Sequence, residues 1–364
     1  MKAVILAGGY ATRLRPISYV IPKLLFPVVG KPMIYWIFDL LKNFGVDEAV
    51  LGVNYLANVL QKTVGSSYKN IRVTYSSEDE PLGTAGALRL AAKTIGLNKT
   101  FLALNGDVIA QINLSTMLIK HQRANALVTD ALCQVKNPSR FGVAELDSNK
   151  RIKRFVEKPH PRVTSSNLVN AGIYLMEPEV LDMIPVEQRV SLEKQVFPEL
   201  AKSHRLTGFP FDGFWLDIGN FEDYRRANFT LLQCDIRKHR PEKHTIAKKG
   251  FKIIDPIYLG KGSRVEKSAV LGPNALVGKN CVMEKGSRVS KSVLFDDVSV
   301  GEGSIVSGAV VASNVEIGKR VVINPGCILS PNLTIGDDVK VGRGVIIHPY
   351  KEITAHLKAG KHVL

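Results

Sequence analysis

From Leu259 onward an apolar side chain returns at every sixth position. Leu259, Val265, Leu271, Val277, Met283, Val289 and Phe295 form one unbroken run, and Val311, Ile317, Ile323, Leu329, Ile335, Val341 and Ile347 form a second. A glycine follows many of these positions, and a small or apolar residue such as Ala275, Cys281, Val321 or Cys327 precedes several of them by two. Such a period is met when each unit of six is one short strand plus a corner, coil stacked on coil, with both apolar positions turned inward. Around Val300 and Val306 the spacing reads five, six, five, a slip in register. Residues 251–364 are therefore expected to form a left-handed parallel β-helix of hexapeptide repeats with a C-terminal tail. Its exposed faces and ends make a homo-oligomer the expected state.

Residues 1–236 read differently. Short β-branched runs (3–7, 49–53, 71–75, 101–104) alternate with stretches of helical period (32–43, 84–93, 221–236). This alternation predicts an α/β domain, Rossmann-like, with a mixed and mostly parallel sheet flanked by helices. Between the two regions, residues 237–250 carry Lys or Arg at 237, 238, 240, 243, 248 and 249 against the single acid Glu242. No aromatic is interleaved, so a basic linker is expected there and no nucleic-acid partner.

The 364 residues, 45% of them hydrophobic, are enough for a substantial core. A formal charge of +16 suits an anionic small substrate as well as nucleic acid, and Lys and Arg are spread along the chain as a solvated surface would have them. Cys133, Cys234, Cys281 and Cys327 lie far apart without a CxxC pair, and read as reduced thiols. The apolar stretch at the N-terminus is too short for a signal peptide, and residues 33–41 are too short for a membrane span, so a cytoplasmic protein without membrane contact is expected.

Directly after the first expected strand comes Leu6-Ala7-Gly8-Gly9-Tyr10-Ala11-Thr12-Arg13-Leu14-Arg15-Pro16, followed by Pro22-Lys23. Gly8 and Gly9 let backbone N–H groups approach phosphate oxygens, Arg13 offers a planar fork of donors, and Lys23 adds a point charge. Neither GxxxxGK[ST] nor GxGxxG occurs. The segment from Leu6 to Met33, with Lys31-Pro32-Met33, resembles the signature of the sugar nucleotidyltransferases, except that Ala11 stands where that family commonly has glycine. Glu80-Pro81-Leu82-Gly83-Thr84, Leu104-Asn105-Gly106-Asp107, Ser139-Arg140-Phe141-Gly142, Glu157-Lys158-Pro159, Asn170-Ala171-Gly172 and Trp215-Leu216-Asp217-Ile218-Gly219 extend the likeness, which is greatest to the GDP-mannose pyrophosphorylases.

The resemblance implies transfer of a nucleotidyl group from a nucleoside triphosphate, GTP first, to a sugar 1-phosphate, mannose 1-phosphate first, with release of pyrophosphate. It implies Arg13, Lys23, Asp107, Lys158 and Asp217 as the catalytic set. The nucleotide would lie on Leu6, Ala7, Gly8, Gly9, Thr12, Arg13, Lys23, Glu80 and Gly83, and the sugar phosphate on Gly142, Glu157, Lys158 and Asn170. Asp107 and Asp217 would hold a magnesium ion, which takes few protein carboxylates. Glu80 is the expected base reader, because one carboxylate accepts both guanine donors, N1–H and the 2-amino group.

Blander readings stay open beside these. Asp107 could cap a helix, Glu157 and Lys158 could be a solvated strand end, and Glu80 could be an acid leading a helix. A uridylyl- or thymidylyltransferase acting on glucose 1-phosphate would use the same phosphate apparatus. An acyltransferase in the coils would need a histidine base, and none occurs between Thr245 and Ile347, leaving His348 at the exit. A non-catalytic regulatory relative would be expected to have lost one of the charged residues that this chain retains.

Overall fold

The computed structural model describes all residues except 79, 161, 235–245 and 248–249, so the six basic positions of the expected linker lie outside the described residues. The chain divides into two compact units, one of residues 1–10 and 34–217, the other of residues 11–33 and 218–364.

In the first unit, four parallel strands form the middle of a mixed sheet. They are β1 (Lys2–Leu6), β2 (Glu48–Val53), β3 (Ile71–Ser77) and β4 (Phe101–Asn105), side by side in the order β4-β1-β2-β3. β1 runs parallel to both of its neighbours, with Leu6 opposite Gly52 on one side and Asn105 on the other. The chain thus moves outward from β1 to β3 and then returns to β1's other flank, a reversal that opens a crevice at the carboxyl ends of the strands. β2 is buried at all six positions, as a strand covered on both faces must be, and its Glu48 is held by Lys2 at 3.1 Å and Arg72 at 2.7 Å.

Helix α1 (Met33–Phe44) opens one residue after Pro32, and α2 (Gly83–Ile95) lays Ala85, Leu88, Ala91, Ala92 and Ile95 on the sheet before ending at Gly96 in the left-handed conformation. A short ribbon pairs β5 (Val108–Ala110) with a strand far ahead in the chain. Beyond β4 the sheet turns antiparallel through β6 (Val128–Gln134), β7 (Gly142–Leu146), β8 (Ile152–Glu157) and β9 (Leu168–Met176), and β10 (Leu206–Pro210) adds a parallel edge to β6. The ribbon's second strand is β11 (Trp215–Asp217).

The second unit is a parallel β-helix with three faces of seven, six and seven strands. Thirteen of the fourteen hexad positions belong to its interior cluster, together with Ala275, Cys281, Val321 and Cys327. Phe295 is the exception and corrects the sequence reading. Leu259 pairs with Val277 eighteen residues on, but Val277 pairs with Leu294 only seventeen on, so Leu294 fills the interior and Phe295 steps to the outside. The shortening is local: three residues separate Leu271 from Ala275 at a corner, and only two separate Val289 from Ser292 one coil later. The next coil repeats the short corner between Val306 and Ala309, so with Leu294 in place of Phe295 the interior spacing from Val289 to Val311 is five, six, six, five.

The unit also holds α3 (Phe221–Cys234) and three successive 3-10 turns, Thr12–Leu14, Ile17–Tyr19 and Lys23–Leu25. The glycine-rich entrance therefore parts after Tyr10: its strand and glycines group with the sheet, and its charged residues with the coils.

Candidate active site

Four chain segments leave the carboxyl ends of β1–β4 close together. Ala7 N–H donates to the Gly52 carbonyl at 2.9 Å and Gly106 N–H to the Leu6 carbonyl at 2.8 Å, so the glycine loop emerges between the ends of β2 and β4. A Cβ on Gly8 would sit 2.5 Å from Glu78 Oε1 and 3.8 Å from the Asn54 Cβ. A side chain on Gly8 would therefore displace the Glu78 carboxylate from this position, and nothing would crowd one on Gly9. Glu78 is 8% exposed, and its Oε2 accepts a hydrogen bond from Leu82 N–H at 2.8 Å. Burial raises its carboxyl pKa, opposed by that N–H.

Sequence reasoning passed over Glu78 in favour of Glu80, which is exposed. β3 runs two residues beyond its expected end, so Glu78 follows the strand directly and faces the glycine loop. Gly83, the other expected base-side residue, has φ +72°, and a side chain there would strike the Val190 carbonyl at 2.5 Å. It therefore also serves the start of α2.

Asp107 and Asp217 are brought together by pairing across 110 residues of sequence. In the antiparallel ribbon of β5 and β11, Asp217 lies opposite Val108, next to Asp107, so both residues stand at the same end of the ribbon. Two residues before Asp107, the buried Asn105 Oδ1 has no hydrogen-bond partner, and neither has the buried Asn54 Nδ2. Two carboxylates and an amide oxygen are hard donors of the kind magnesium takes. Among the described residues no group of three or more His, Cys, Asp or Glu side chains forms a metal cage.

The expected sugar-phosphate residues also converge. Gly142 on β7 is in register with Glu157 on β8, and β7 pairs with β9 at Val143 and Val169, one residue before Asn170. A Cβ on Gly142 would meet the Phe155 ring at 2.5 Å and Glu157 Oε2 at 3.0 Å. Lys158 takes φ +49°, an unusual backbone for a lysine, with Nζ 3.2 Å from Glu157 Oε1 and the side chain 65% exposed. Asn170 uses its side chain within the protein: Nδ2 donates to the Tyr174 hydroxyl at 2.8 Å and Oδ1 accepts from Gly172 N–H at 2.6 Å.

In the second unit, Thr12 and Arg13 are exposed on the first 3-10 turn, and Lys23 is half-buried at the start of the third. Ala11 caps the first turn at φ 45°, ψ 42°. The resembling family's glycine is thereby explained: the left-handed region costs a Cβ-bearing residue roughly 1–2 kcal/mol. Leu14 N–H and Ser18 Oγ–H both donate to the Ala11 carbonyl at 2.9 Å and hold it there. A Cβ on Gly219 would come within 3.3 Å of Arg13 Nη1, so the glycine after Asp217-Ile218 leaves room for the guanidinium.

Residues 2–233 match the Nucleotidyl transferase family model, and residues 253–363 match the GMPPB C-terminal domain model. The chain is 34% identical to mannose-1-phosphate guanylyltransferase 1 of Arabidopsis thaliana, covering 90% of this chain and 91% of that one. It is 34% identical to a mannose-1-phosphate guanyltransferase of Schizosaccharomyces pombe, covering 89% and 100%. Among solved structures, a putative glucose-1-phosphate thymidylyltransferase from Bacillus anthracis, in complex with a sucrose, superposes at TM-score 0.56 with 27% identity, over 63% of this chain and 94% of that one. HddC from Yersinia pseudotuberculosis, complexed with GMP-PN, superposes at 0.53 with 27% identity, over 63% and 99%. No helix of the described residues is long and apolar enough to cross a membrane.

Proposed function

Since the chain belongs to the nucleotidyl transferase family, with mannose-1-phosphate guanylyltransferases as relatives over nine-tenths of its length, we propose that it transfers GMP from GTP to mannose 1-phosphate. A phosphate oxygen of the sugar 1-phosphate attacks the α-phosphorus, the bond from that phosphorus to the α,β-bridging oxygen breaks, and pyrophosphate leaves. No covalent enzyme intermediate is needed.

In this reading the Gly8-Gly9 backbone takes the triphosphate, while Arg13 and Lys23 balance charge on the α-phosphate and the leaving pyrophosphate. Lys158 exchanges its contact with Glu157 for the phosphate of the sugar, leaving Glu157 to accept from the sugar's hydroxyls. Asp107 and Asp217 would hold a magnesium ion, whose charge, when bound, offsets that of the α-phosphate.

The observation that carries the choice of GTP is the buried Glu78 carboxylate against Gly8. A carboxylate accepts two adjacent guanine donors, whereas uracil and thymine offer a single N–H between two acceptors. Glu78 is favoured over Glu80 because a hydrogen bond shielded from water discriminates more strongly than an exposed one. The test compares pyrophosphate release from GTP, UTP and dTTP, with mannose and glucose 1-phosphates, in the wild type, Glu78→Gln and Glu80→Gln. The proposal expects GTP preference to fall in Glu78→Gln alone. An unchanged preference there, or a wild type favouring UTP, removes the guanine assignment. We further propose a cytoplasmic homo-oligomer, which a monomeric mass by light scattering would exclude.

A further inference from the structure

The outward step of Phe295 gives the coils a second task. On the face whose strands end at Leu259, Val277 and Leu294, the residue after each of the first six strands donates its N–H to the last strand residue of the next coil, which aligns Gly260, Gly278, Phe295, Ala312, Ser330 and His348 in one column. Four are small and two are aromatic. Both aromatics touch the segment that carries Arg13 and Lys23. Phe295 meets Phe26, immediately after the turn begun by Lys23, at 5.7 Å and 70° between planes, and His348 meets Tyr19 at 5.9 Å.

The Phe26 contact is enclosed. Tyr224 of α3 packs edge-on to Phe26 at 5.6 Å and lies 6.2 Å from Phe295, closing a triad in which Phe26 is 0% and Phe295 2% exposed. The strand after Phe26 is fixed too: Tyr224 O–H donates to the Pro27 carbonyl, and Val29 N–H donates to Asn228 Oδ1 at 2.9 Å. At the Tyr19 end, the Arg15 guanidinium stacks on that ring at 4.9 Å. Rings at Tyr19, and rings with hydrogen bonds from Phe26 to Val29, thus hold the segment; the coils contribute Phe295 and His348, and also Tyr258, whose ring packs on Gly30.

We propose that Phe295 is a positioning residue for nucleotidyl transfer, holding the turn that presents Lys23 and, through the same segment, Arg13. The proposal rests on the phosphate-handling roles given to those two residues above. It also assigns a purpose to the seventeen-residue coil: without the one-residue deletion at the corner, position 295 would point inward.

The test is a mutant cycle on the full chain, assayed with the nucleotide and sugar phosphate that the wild type turns over best. Phe295→Ala is expected to lower kcat about 10-fold and raise KM for the nucleotide several-fold, since small misplacement of a positioned group is costly. KM for the sugar phosphate should stay the same, because its residues belong to the other unit. In an Arg13→Ala background, Phe295→Ala should lower kcat much less than it does alone, as expected for residues acting as one. Phe295→Leu should recover most of the activity. Val289→Ala, a coil-interior truncation away from the segment, should lower the thermal midpoint and leave both KM values unchanged.

Full multiplication of the Arg13 and Phe295 effects, equal movement of both KM values, or the same split in Val289→Ala would overturn the proposal. If Phe295→Ala does not fold, Phe295→Leu and Phe295→Met carry the cycle, with the same outcomes deciding. Preference for another base refutes the guanine assignment but leaves this cycle intact. If no pair is turned over, the proposed function fails, and the calorimetric affinity for GTP in the same proteins decides the positioning role by the same non-additivity.

Discussion

The edge of the sheet and the stack of coils satisfy their polar groups in opposite ways. In the coils a buried serine serves as a repeated rung: Ser263 Oγ–H donates to the Gly278 carbonyl at 2.7 Å and accepts from Cys281 N–H at 3.0 Å, and Ser304 does the same with Gly318 and Val321 at 2.6 and 2.8 Å. At the strand ends, Asn54 Nδ2 and Asn105 Oδ1 are buried and unpartnered, and Glu78 is buried with one oxygen against a glycine. The coils are not perfect, since Asn274 Oδ1 and Ser330 Oγ also lack partners. A repeat solves its hydrogen bonding once and copies the solution, whereas strand ends that occur once leave polar groups unmatched within the chain, at a cost in stability.

Substitutions at the two places should therefore separate activity from stability. The largest effect is expected at the ribbon end, where Asp107→Asn should lower kcat by roughly 10² to 10³ with little change in the thermal midpoint. Steady-state pyrophosphate release and a melting curve on one sample check this, and a large loss of stability would make Asp107 structural. Next, Glu78→Gln should lower kcat/KM for GTP roughly 10- to 100-fold, the size of a lost charge-assisted hydrogen bond.

Its pH dependence has a definite sign. Burial raises the Glu78 pKa, so the carboxyl gains a proton at a higher pH than an exposed glutamate and then loses acceptor capacity. KM for GTP should accordingly rise as pH falls towards that raised value, and Glu78→Gln should flatten this acid limb. An acid limb that survives the substitution assigns the titration to another group.

The coils predict the converse. Ser304→Ala leaves the partly buried Gly318 carbonyl and the buried Val321 N–H without their rung, which should cost about 1–3 kcal/mol in urea unfolding while kcat stays within twofold. If kcat falls as far as stability does, the coils and the chemistry are not separable in the way the polar bookkeeping implies. The smallest effect is expected at Ala11, where glycine relieves the left-handed strain. Ala11→Gly should stabilise by up to about 1 kcal/mol in the same unfolding experiment, and a loss instead would mean that loop rigidity outweighs the strain.

Legibility followed the range of the interactions. The hexad, the first four strands and the three expected helices were readable because periodicity and β-branched runs are local, and each boundary fell within a few residues of its expected place, whereas the helices at Ala57–Val64, Leu114–Ala124 and Phe197–Lys202 were not read. β3 nonetheless runs two residues past its expected end, which places Glu78 directly after the strand while Glu80 is exposed. Which of two nearby loop acids is buried depends on what the glycine loop places against it, and no local pattern encodes that.

By itself, then, the sequence determined the two architectures, the glycine-rich exit from β1 and the types of residue that phosphate chemistry requires. Only the tertiary structure decided that Asp107 and Asp217 share one ribbon end, that Arg13 and Lys23 travel with the coils, and that Phe295 faces outward. These follow from pairing register between distant segments and from the length of a single corner. Register is set by the summed packing of whole elements, so a one-residue difference redirects a side chain without disturbing the pattern that specifies the fold.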